Sequence, residues 1–585
     1  MSSPSHGPPE PLHRDGRDAR DEQDGSGTWQ VKARLLGVAR NLTAATRLHD
    51  VLSLLRDVRG VEIWYTVNPG SDFSAGLEDY LLSVSGERHV LSWAEAQHAH
   101  FDLAVACAVH SSMHVLEAPL VVLPHGAGYN RLVARSTGDT TSPAGLSRAE
   151  LTHDGVVVPD VICLSHEGQR PRLAVSCPEA LPYTEVVGDP AHQRTRQSLP
   201  LRDRYRRSLG AVDGRKLVVV NSTWREHSLL GRWPDLLLRL VAELPADEFR
   251  VVLVSHPNVW AWHDPHSVRH LLGQALDAGL AVLPPQEGWR AALIAADWIV
   301  GDHGSTTFYG AALGLPTLLA ADGLDELDPA SPTAAFTRDA PRLDPRRDLY
   351  EQLLSIAATY DPAVSQAAFD DQVQPLGDSG RIVRDLLCGR LAHRGIQVPS
   401  EPPPPRPVPE PEPHTERGPQ TFDVVGTVTG DGTVEIRRFP HVPHLGRDRA
   451  REARGFLAVT DEETRTELRQ SAEVVVRTVA ESEIPARTWA GQRARELPGL
   501  SVVVAALDAH RHLVLLREDG RLPGGRWLEA YAHREFGMPT PRLDPVLLGS
   551  ALCQWLMTPH VGRLGGELTI RTGNHEVRVR FTGEE

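Results

Sequence analysis

Residues 296–320 run ADWIVGDHGSTTFYGAALGLPTLLA. The apolar run ending at Val300 has the character of a buried strand, and Gly301-Asp302-His303-Gly304 breaks it. Ser305, Thr306 and Thr307 then open a small-residue segment of helical character, and PTLLA returns to a strand. A strand that halts at glycines and gives way to a helix headed by hydroxyls suits a parallel α/β sheet, whose ligands lie beyond the carboxyl ends of the strands. Gly304 lets backbone approach a ligand closely. The free amides of the new helix, with its dipole, favour an anion such as a diphosphate. The plainer alternative makes Ser305 or Thr306 an N-cap, contributing about 1 kcal/mol.

The same alternation extends in both directions. Upstream, RKLVVVNSTW, FRVVLVSHPN and LAVLPP read as strands separated by the helical segments RWPDLLLRLVAEL and SVRHLLGQALDAG, and GWRAALIAA is the helix leading into the opening stretch. An earlier series holds the strands VKARLLGVAR, VEIWYTV, FDLAVACAV, PLVVLPHG, VPDVICLS and EVVGDP, with helices at TRLHDVLSLLRDV and FSAGLEDYLLSV. Apolar strands alternating with helices imply parallel sheets covered on both faces. Two consecutive series predict two doubly wound, Rossmann-like domains facing one another, over 29–195 and 196–397.

Residues 1–28 are polar, charged and rich in Gly and Pro, and are expected to be disordered. VPSEPPPPRPVPEPEPHTERGPQ, residues 398–420, is a Pro/Glu tract expected to act as a semi-rigid linker. Beyond it, 421–585 predicts a small α+β domain of unassigned role. FDVVGTVTGDGTVEIRRF, VVVAALDAHRHLVLLRE and GGELTIRTGNHEVRVRFTG read as hairpins there, and RTELRQSAEVVVRTVAESE as a helix. Protein contacts or oligomerisation are the expectation for this region. Its His441, His444 and Cys553 lack the spacing of metal ligands.

Hydrophobic residues make up 41% and charged residues 23%, the balance of a globular protein. A formal net charge of -15 argues against a nucleic-acid or anionic-membrane binder. No apolar stretch has transmembrane length, and the N-terminus lacks a signal core. The five cysteines form no CxxC pair and sit mostly in apolar runs, as reduced thiols of a cytoplasmic protein do. Few methionines and abundant Arg, Ala and Gly suggest a high-GC bacterial source.

Polar residues gather at the strand ends of the second series. Ser222-Thr223-Trp224-Arg225 follow LVVVN, His256-Pro257-Asn258 follow FRVVLVS, Gln286-Glu287 follow LAVLPP, and Asp302 to Thr307 follow DWIVG. Ser222, Thr223, Arg225, His256, Asn258, Glu287, Asp302, Gly304, Ser305 and Thr306 are therefore candidate donor- and phosphate-binding residues. In the first series, His125 follows the strand PLVVL and precedes Gly126, which places it at the floor of the cleft. Imidazole titrates near neutrality and can take a proton from an attacking hydroxyl, so His125 is the candidate catalytic base. Gly188 and Asp189, in the turn before Pro190, are further cleft candidates.

In this order, the segments HG, GDP, STWR, HPN and AADWIVGDHGSTTFYGAALGLPTLL resemble the GT-B glycosyltransferase fold over roughly 30–390. The nearest family is the CDP-glycerol glycerophosphotransferases of teichoic-acid synthesis, with the UDP-N-acetylglucosamine 2-epimerases more distant. The resemblance implies that His125 is the proposed general base and that His256 contacts donor phosphates. It puts Thr223 and Arg225 beside the nucleotide, Asp302, Ser305 and Thr306 over the diphosphate, and Gly188 and Pro190 at the domain junction. Two departures stand out: Pro124 precedes His125 where the family has Trp, and His303 and Gly304 replace an aromatic and a Ser. The implied activity is a metal-independent transferase with a nucleotide-diphosphate donor, a nucleotide sugar or a CDP-glycerol-like molecule, no other cofactor and an open acceptor. A non-catalytic nucleotide-binding regulatory or scaffold protein and a UDP-sugar 2-epimerase-like isomerase are the alternatives.

Overall fold

The computed structural model describes residues 30–71, 74, 76–132, 141–374, 377–401, 404–429, 432–443, 445, 455–517, 525–533, 540–558 and 564–583. The tail 1–28 and His444 lie outside them.

The first apolar series forms a seven-stranded sheet from β1 (Ala33–Ala39), β2 (Val61–Val67), β3 (Val90–Leu91), β4 (Leu103–Ala106) and β5 (Leu120–Val122), a two-stranded side ribbon of β6 (Thr152–His153) and β7 (Val156–Val157) intervening before β8 (Val161–Leu164) and β9 (Thr184–Val186). The order is β3-β2-β1-β4-β5-β8-β9, every pair parallel. The second series forms β10 (Lys216–Ser222), β11 (Phe249–Ser255), β12 (Ala281–Val282), β13 (Trp298–Gly301) and β14 (Thr317–Leu319), ordered β12-β11-β10-β13-β14 and again all parallel. Both orders reverse once, between β1 and β4 and between β10 and β13. Each reversal opens a crevice at the carboxyl ends of its strands. These are two Rossmann-like domains in a GT-B-like arrangement.

The predicted boundary at 397 needs correcting. The helix Ser379–Leu391 buries Val383, Leu387, Cys388 and Leu391 in the core of the first sheet, beside Leu35, Val51 and Leu103. The chain thus crosses back to the first domain before leaving it. Arg384 fixes the return through a buried ion pair with Asp57 at 2.7 Å.

The Pro/Glu tract also differs from a free spacer. Val408 is buried, its N–H donates to Ser198 Oγ at 3.0 Å, and its carbonyl accepts from Tyr205 Oη at 2.5 Å. His414 and Val282 exchange both backbone hydrogen bonds, which adds a bridge to the edge strand β12. The tract is a strap laid along the second domain.

Residues 421–583 close into a nine-stranded barrel of β15 (Thr421–Val428), β16 (Thr433–Pro440), β17 (Phe456–Thr460), β18 (Val474–Arg477), β19 (Val502–Ala506), β20 (Arg511–Leu516), β21 (Arg526–Ala532), β22 (Glu567–Thr572) and β23 (His575–Gly583). The three expected hairpins are the antiparallel pairs β15–β16, β19–β20 and β22–β23. The expected helix over RTELRQSAEVVVRTVAESE is only half right. The helix ends at Ser471, and the β-branched run after it is β18, parallel to both neighbours. Alternation sorts the strand residues: Val474, Val476, Val502 and Val504 pack on the apolar helix Pro545–Met557, while Val475, Val503 and Ala505 lie under the helix Glu483–Glu496. Arg438 ties the barrel to the second domain through Asp247. No helix among the described residues is long and apolar enough to cross a membrane.

Candidate active site

The carboxyl ends of both sheets face one cleft of about 780 Å³. From the first domain it is lined by Arg40, Arg47, His125, Gly126 and Arg131; from the second, by Arg225, His256, Asn258, Ser305 and Thr306, among others. The two walls touch at the floor. A Cβ built on Gly126 would lie 2.9 Å from Ser305 Oγ, so glycine permits this approach of the His125 loop to the second domain.

The helix Ser305–Ala312 begins with Gly304 at its N-cap, and no side chain caps it. Neither Ser305 nor Thr306 is the cap residue, which removes the plainer reading of the stretch. The first-turn amides and the positive end of the helix dipole face the cleft without a competing side-chain acceptor.

Behind this loop, Asp302 is 1% exposed and acts as an organiser. Its Oδ2 accepts from Thr223 N and Oγ1, both at 2.8 Å, and from Leu229 N at 2.9 Å, while Oδ1 accepts from Gly304 N at 3.1 Å. Ser222 Oγ donates to the Thr223 carbonyl and accepts from Leu230 N, both at 3.1 Å. Asp302, Thr223 and Ser222, expected at the diphosphate, therefore have their polar groups turned into the loop scaffold and shape the site from beneath. Arg225 lines the cleft with φ at 72°, a left-handed backbone uncommon outside glycine.

Three other candidates lie behind the cleft wall. Glu287 bonds its own Gly288 N–H and pairs with Arg290. Asp189 caps the helix Pro190–Gln197 through Ala191 N and His192 N, and pairs with the buried Arg47 at 3.0 Å. Gly188 has φ at 71°, and a Cβ there would meet Ser379 Oγ at 2.3 Å. Glu287, Gly188 and Asp189 hold the domain junction together and do not reach the ligand space.

His125 is exposed to the cleft, with Arg47, Arg131 and the Cys107 backbone of its own domain around it. Burial, with Arg47 and Arg131 adding positive charge, pushes its pKa down to about 4, while a hydrogen bond with the Cys107 backbone pulls the other way. The ring is neutral at physiological pH and can accept a proton. His256 is the N-cap of the helix Pro257–His263, its Nδ1 accepting from Asn258 N at 3.1 Å. Burial, then Arg131 and His125, push its pKa well below the usual histidine value. A neutral ring whose Nδ1 is an acceptor carries its proton on Nε2, which leaves a donor for an anion.

Sequence reasoning missed Arg131. Its guanidinium lies 3.7 Å from the Trp224 ring centroid and pairs with Glu326 at 2.6 Å. Trp224 packs on His256 with centroids 4.1 Å apart, and Glu326 Oε2 also meets His303 Nε2 at 3.0 Å. Arg131 comes from the first domain and the others from the second. Backbone bonds flank it, Leu132 N to the Glu326 carbonyl at 2.9 Å and Asp328 N to the Asn130 carbonyl at 2.8 Å. Arg172–Asp328 at 2.7 Å and Arg290–Asp50 at 2.5 Å close the seam further. Arg47 did carry a sequence signal: it stands between Ala44 and Val51 on the apolar face of the helix Leu42–Leu52.

No family model matches the chain, and no curated protein does. Among solved structures, the wall teichoic acid polymerase TagF is similar at 12% identity, over 63% of this chain and 90% of that one, with a TM-score of 0.42. The UDP-GlcNAc 2-epimerase of Neisseria meningitidis, bound to UDP-GlcNAc, is similar at 14% identity over 61% of this chain and 100% of that one, TM-score 0.41. A UDP-N-acetylglucosamine 2-epimerase of Listeria monocytogenes gives 12%, 62%, 97% and 0.40 respectively. These likenesses concern fold. The two strand orders of this chain carry the GT-B-like reading by themselves.

Proposed function

We propose that this chain is a metal-independent transferase whose donor is a nucleoside diphosphate derivative, a nucleotide sugar or a CDP-glycerol-like molecule. The observation that carries the reading is the uncapped start of the helix Ser305–Ala312, set against the His125 loop across the cleft. The amides of that first turn bind the diphosphate, and His256 Nε2–H donates to it. His125 accepts the proton of an acceptor hydroxyl as that oxygen attacks the donor. The electron pair of the breaking bond leaves with the nucleotide, whose growing charge the helix start and His256 stabilise. Burial, with Arg131 adding positive charge at both rings and Arg47 at His125, keeps both imidazoles neutral before the donor arrives. The acceptor is a hydroxyl-bearing molecule admitted from the first-domain side.

The test measures nucleotide release from UDP-GlcNAc and from CDP-glycerol by the native protein, His125→Ala and His256→Ala, with and without EDTA. Loss of release in both variants and indifference to EDTA are expected. Equal release from all three proteins removes the mechanism. Tight nucleotide binding without turnover makes the chain a regulatory or scaffold protein, and a 2-epimerised sugar makes it an isomerase.

A further inference from the structure

Where the helix Ser305–Ala312 meets the strand ends, two buried polar side chains of the cleft wall have no hydrogen-bond partner among the described residues. Asn221, the penultimate residue of β10, is 2% exposed, and neither its Oδ1 nor its Nδ2 is bonded. Thr307 is fully buried and its Oγ1 is unbonded. Both line the cleft. They are brought together by strand register. Val220 pairs with Val300, so the next residues, Asn221 and Gly301, stand side by side at the strand ends. Gly301 has no Cβ, and the space a Cβ would take is filled by Thr307, whose Oγ1 would be 2.2 Å away.

Buried carboxamides and hydroxyls are almost always satisfied in folded proteins, so an unsatisfied pair in a cleft wall points to a ligand. The chemistry of the pair restricts what that ligand is. Asn221 offers a donor and an acceptor, and Thr307 a hydroxyl that can act as either. A phosphate oxygen only accepts, and would set its charge against Asn221 Oδ1. A cation would satisfy only the oxygens. Two neighbouring hydroxyls donate and accept at once, are uncharged and fit both side chains. Thr307 belongs to the first turn of the helix Ser305–Ala312, and Asn221 stands at the strand end that this turn faces. The pair therefore meets what is joined to the diphosphate, the ribose or the transferred group, and not the base, which the ribose holds away.

The geometry points to Asn221 and Thr307 as a polyol-reading subsite that orients the hydroxyls joined to the donor diphosphate. This rests on the nucleotide-diphosphate reading above, and the experiment separates the two. Affinities of UDP, 2′-deoxy-UDP, UDP-GlcNAc and CDP-glycerol are measured by calorimetry on the native protein, Asn221→Val and Thr307→Val, with the melting temperature of each free protein. Thr307→Val keeps the side-chain shape, so it reports even where Asn221→Val folds poorly.

The subsite predicts that each variant melts at or above the native temperature, because an unsatisfied buried group has been removed, while affinity falls about 10- to 100-fold. A penalty seen with UDP and absent with 2′-deoxy-UDP assigns the pair to the ribose. A penalty confined to UDP-GlcNAc and CDP-glycerol assigns it to the transferred group. Unchanged affinities overturn the subsite while leaving the donor reading intact, as does a lowered melting temperature with unchanged affinity, the mark of purely internal bonding. Failure of the native protein to bind any of the four overturns both.

Discussion

Replacing Arg47 with Met gives the most demanding test of how the two domains are joined. The guanidinium is 7% exposed and makes three contacts, to Asp189 Oδ1 at 3.0 Å, to Tyr309 Oη at 2.9 Å and to the Gly126 carbonyl at 3.3 Å. Met retains most of the apolar stem and removes the charge. What remains is a buried Asp189 carboxylate held by Tyr309 and two helix amides alone. Breaking a buried pair from one side costs about 3–5 kcal/mol, since the orphaned charge keeps its desolvation penalty. The loss depends on pH in a definite sense. Burial by itself raises the Asp189 carboxyl, but in the native protein Arg47 overrides it and holds the pKa below the usual range. That native contribution is present above the unfolded carboxyl pKa and disappears as pH falls through the folded one. Without Arg47, burial dominates and the carboxyl moves up, so folding then favours its protonated form. The deficit against native is greatest near neutrality and shrinks as pH drops toward the ordinary carboxylate range. Urea unfolding followed by tryptophan fluorescence at pH 8 and pH 5 measures it. Asp189→Asn, which keeps the helix cap, combined with Arg47→Met recovers part of the loss. A cost below about 1 kcal/mol, or one equal at both pH values, refutes the account of the junction.

Three further outcomes follow from the same geometry. The acid limb of kcat/KM lies below pH 6.5, because the free enzyme's His125 is held down to about 4; a limb at or above pH 7 contradicts that. Gly301→Ala drives a Cβ to within 2.2 Å of Thr307 Oγ1 and 2.8 Å of its Cγ2, so the diphosphate helix must shift. It costs about 1–3 kcal/mol and weakens nucleotide binding, with native-like binding as the contrary result. Arg438→Met leaves the half-buried Asp247 without its partner, costs roughly 3 kcal/mol, and loosens the barrel from the second domain, which limited proteolysis reads; a cleavage pattern identical to native opposes it.

Strands were the legible part of this chain, because buried parallel strands are short apolar runs and the runs survive in any context. An amphipathic helix, by contrast, does not say which sheet it covers. Ser379–Leu391 follows the second series in sequence and packs on the first in space. In the strap, Val408 is one apolar residue within a Pro/Glu tract, and Ser198 and Tyr205, 210 and 203 positions earlier, give it a place. Strand β18 was hidden because Val474–Arg477 directly continues a segment of good helix formers. The site divides in the same way. Gly304, Ser305, His125 and His256 announced themselves by standing where apolar strands stop. The direction of a polar atom does not show in sequence, so Asp302 and Thr223 read like ligand contacts although they bond each other. Arg131 carried no local signal, since its role depends on Glu326, 195 residues away.

The charge of the cleft explains why the helix start matters more than the arginines. Among the described residues its wall carries five arginines and six carboxylates, so side-chain charge alone gives no excess pull on an anion. Backbone amides are what remain, and they are fixed in place by Asp302 through Gly304 and the Thr223 loop. Arg131 adds its charge to the burial that already lowers both histidines. It reaches His256 across the cleft, held there by Glu326 and the Trp224 ring of the other half of the molecule, whereas His125 shares its domain. Separating the two halves would carry Arg131 away from His256 and leave it beside His125, so only His256 would lose that contribution. The Nε2–H of His256 is fixed independently of Arg131, by the Asn258 N–H on its Nδ1.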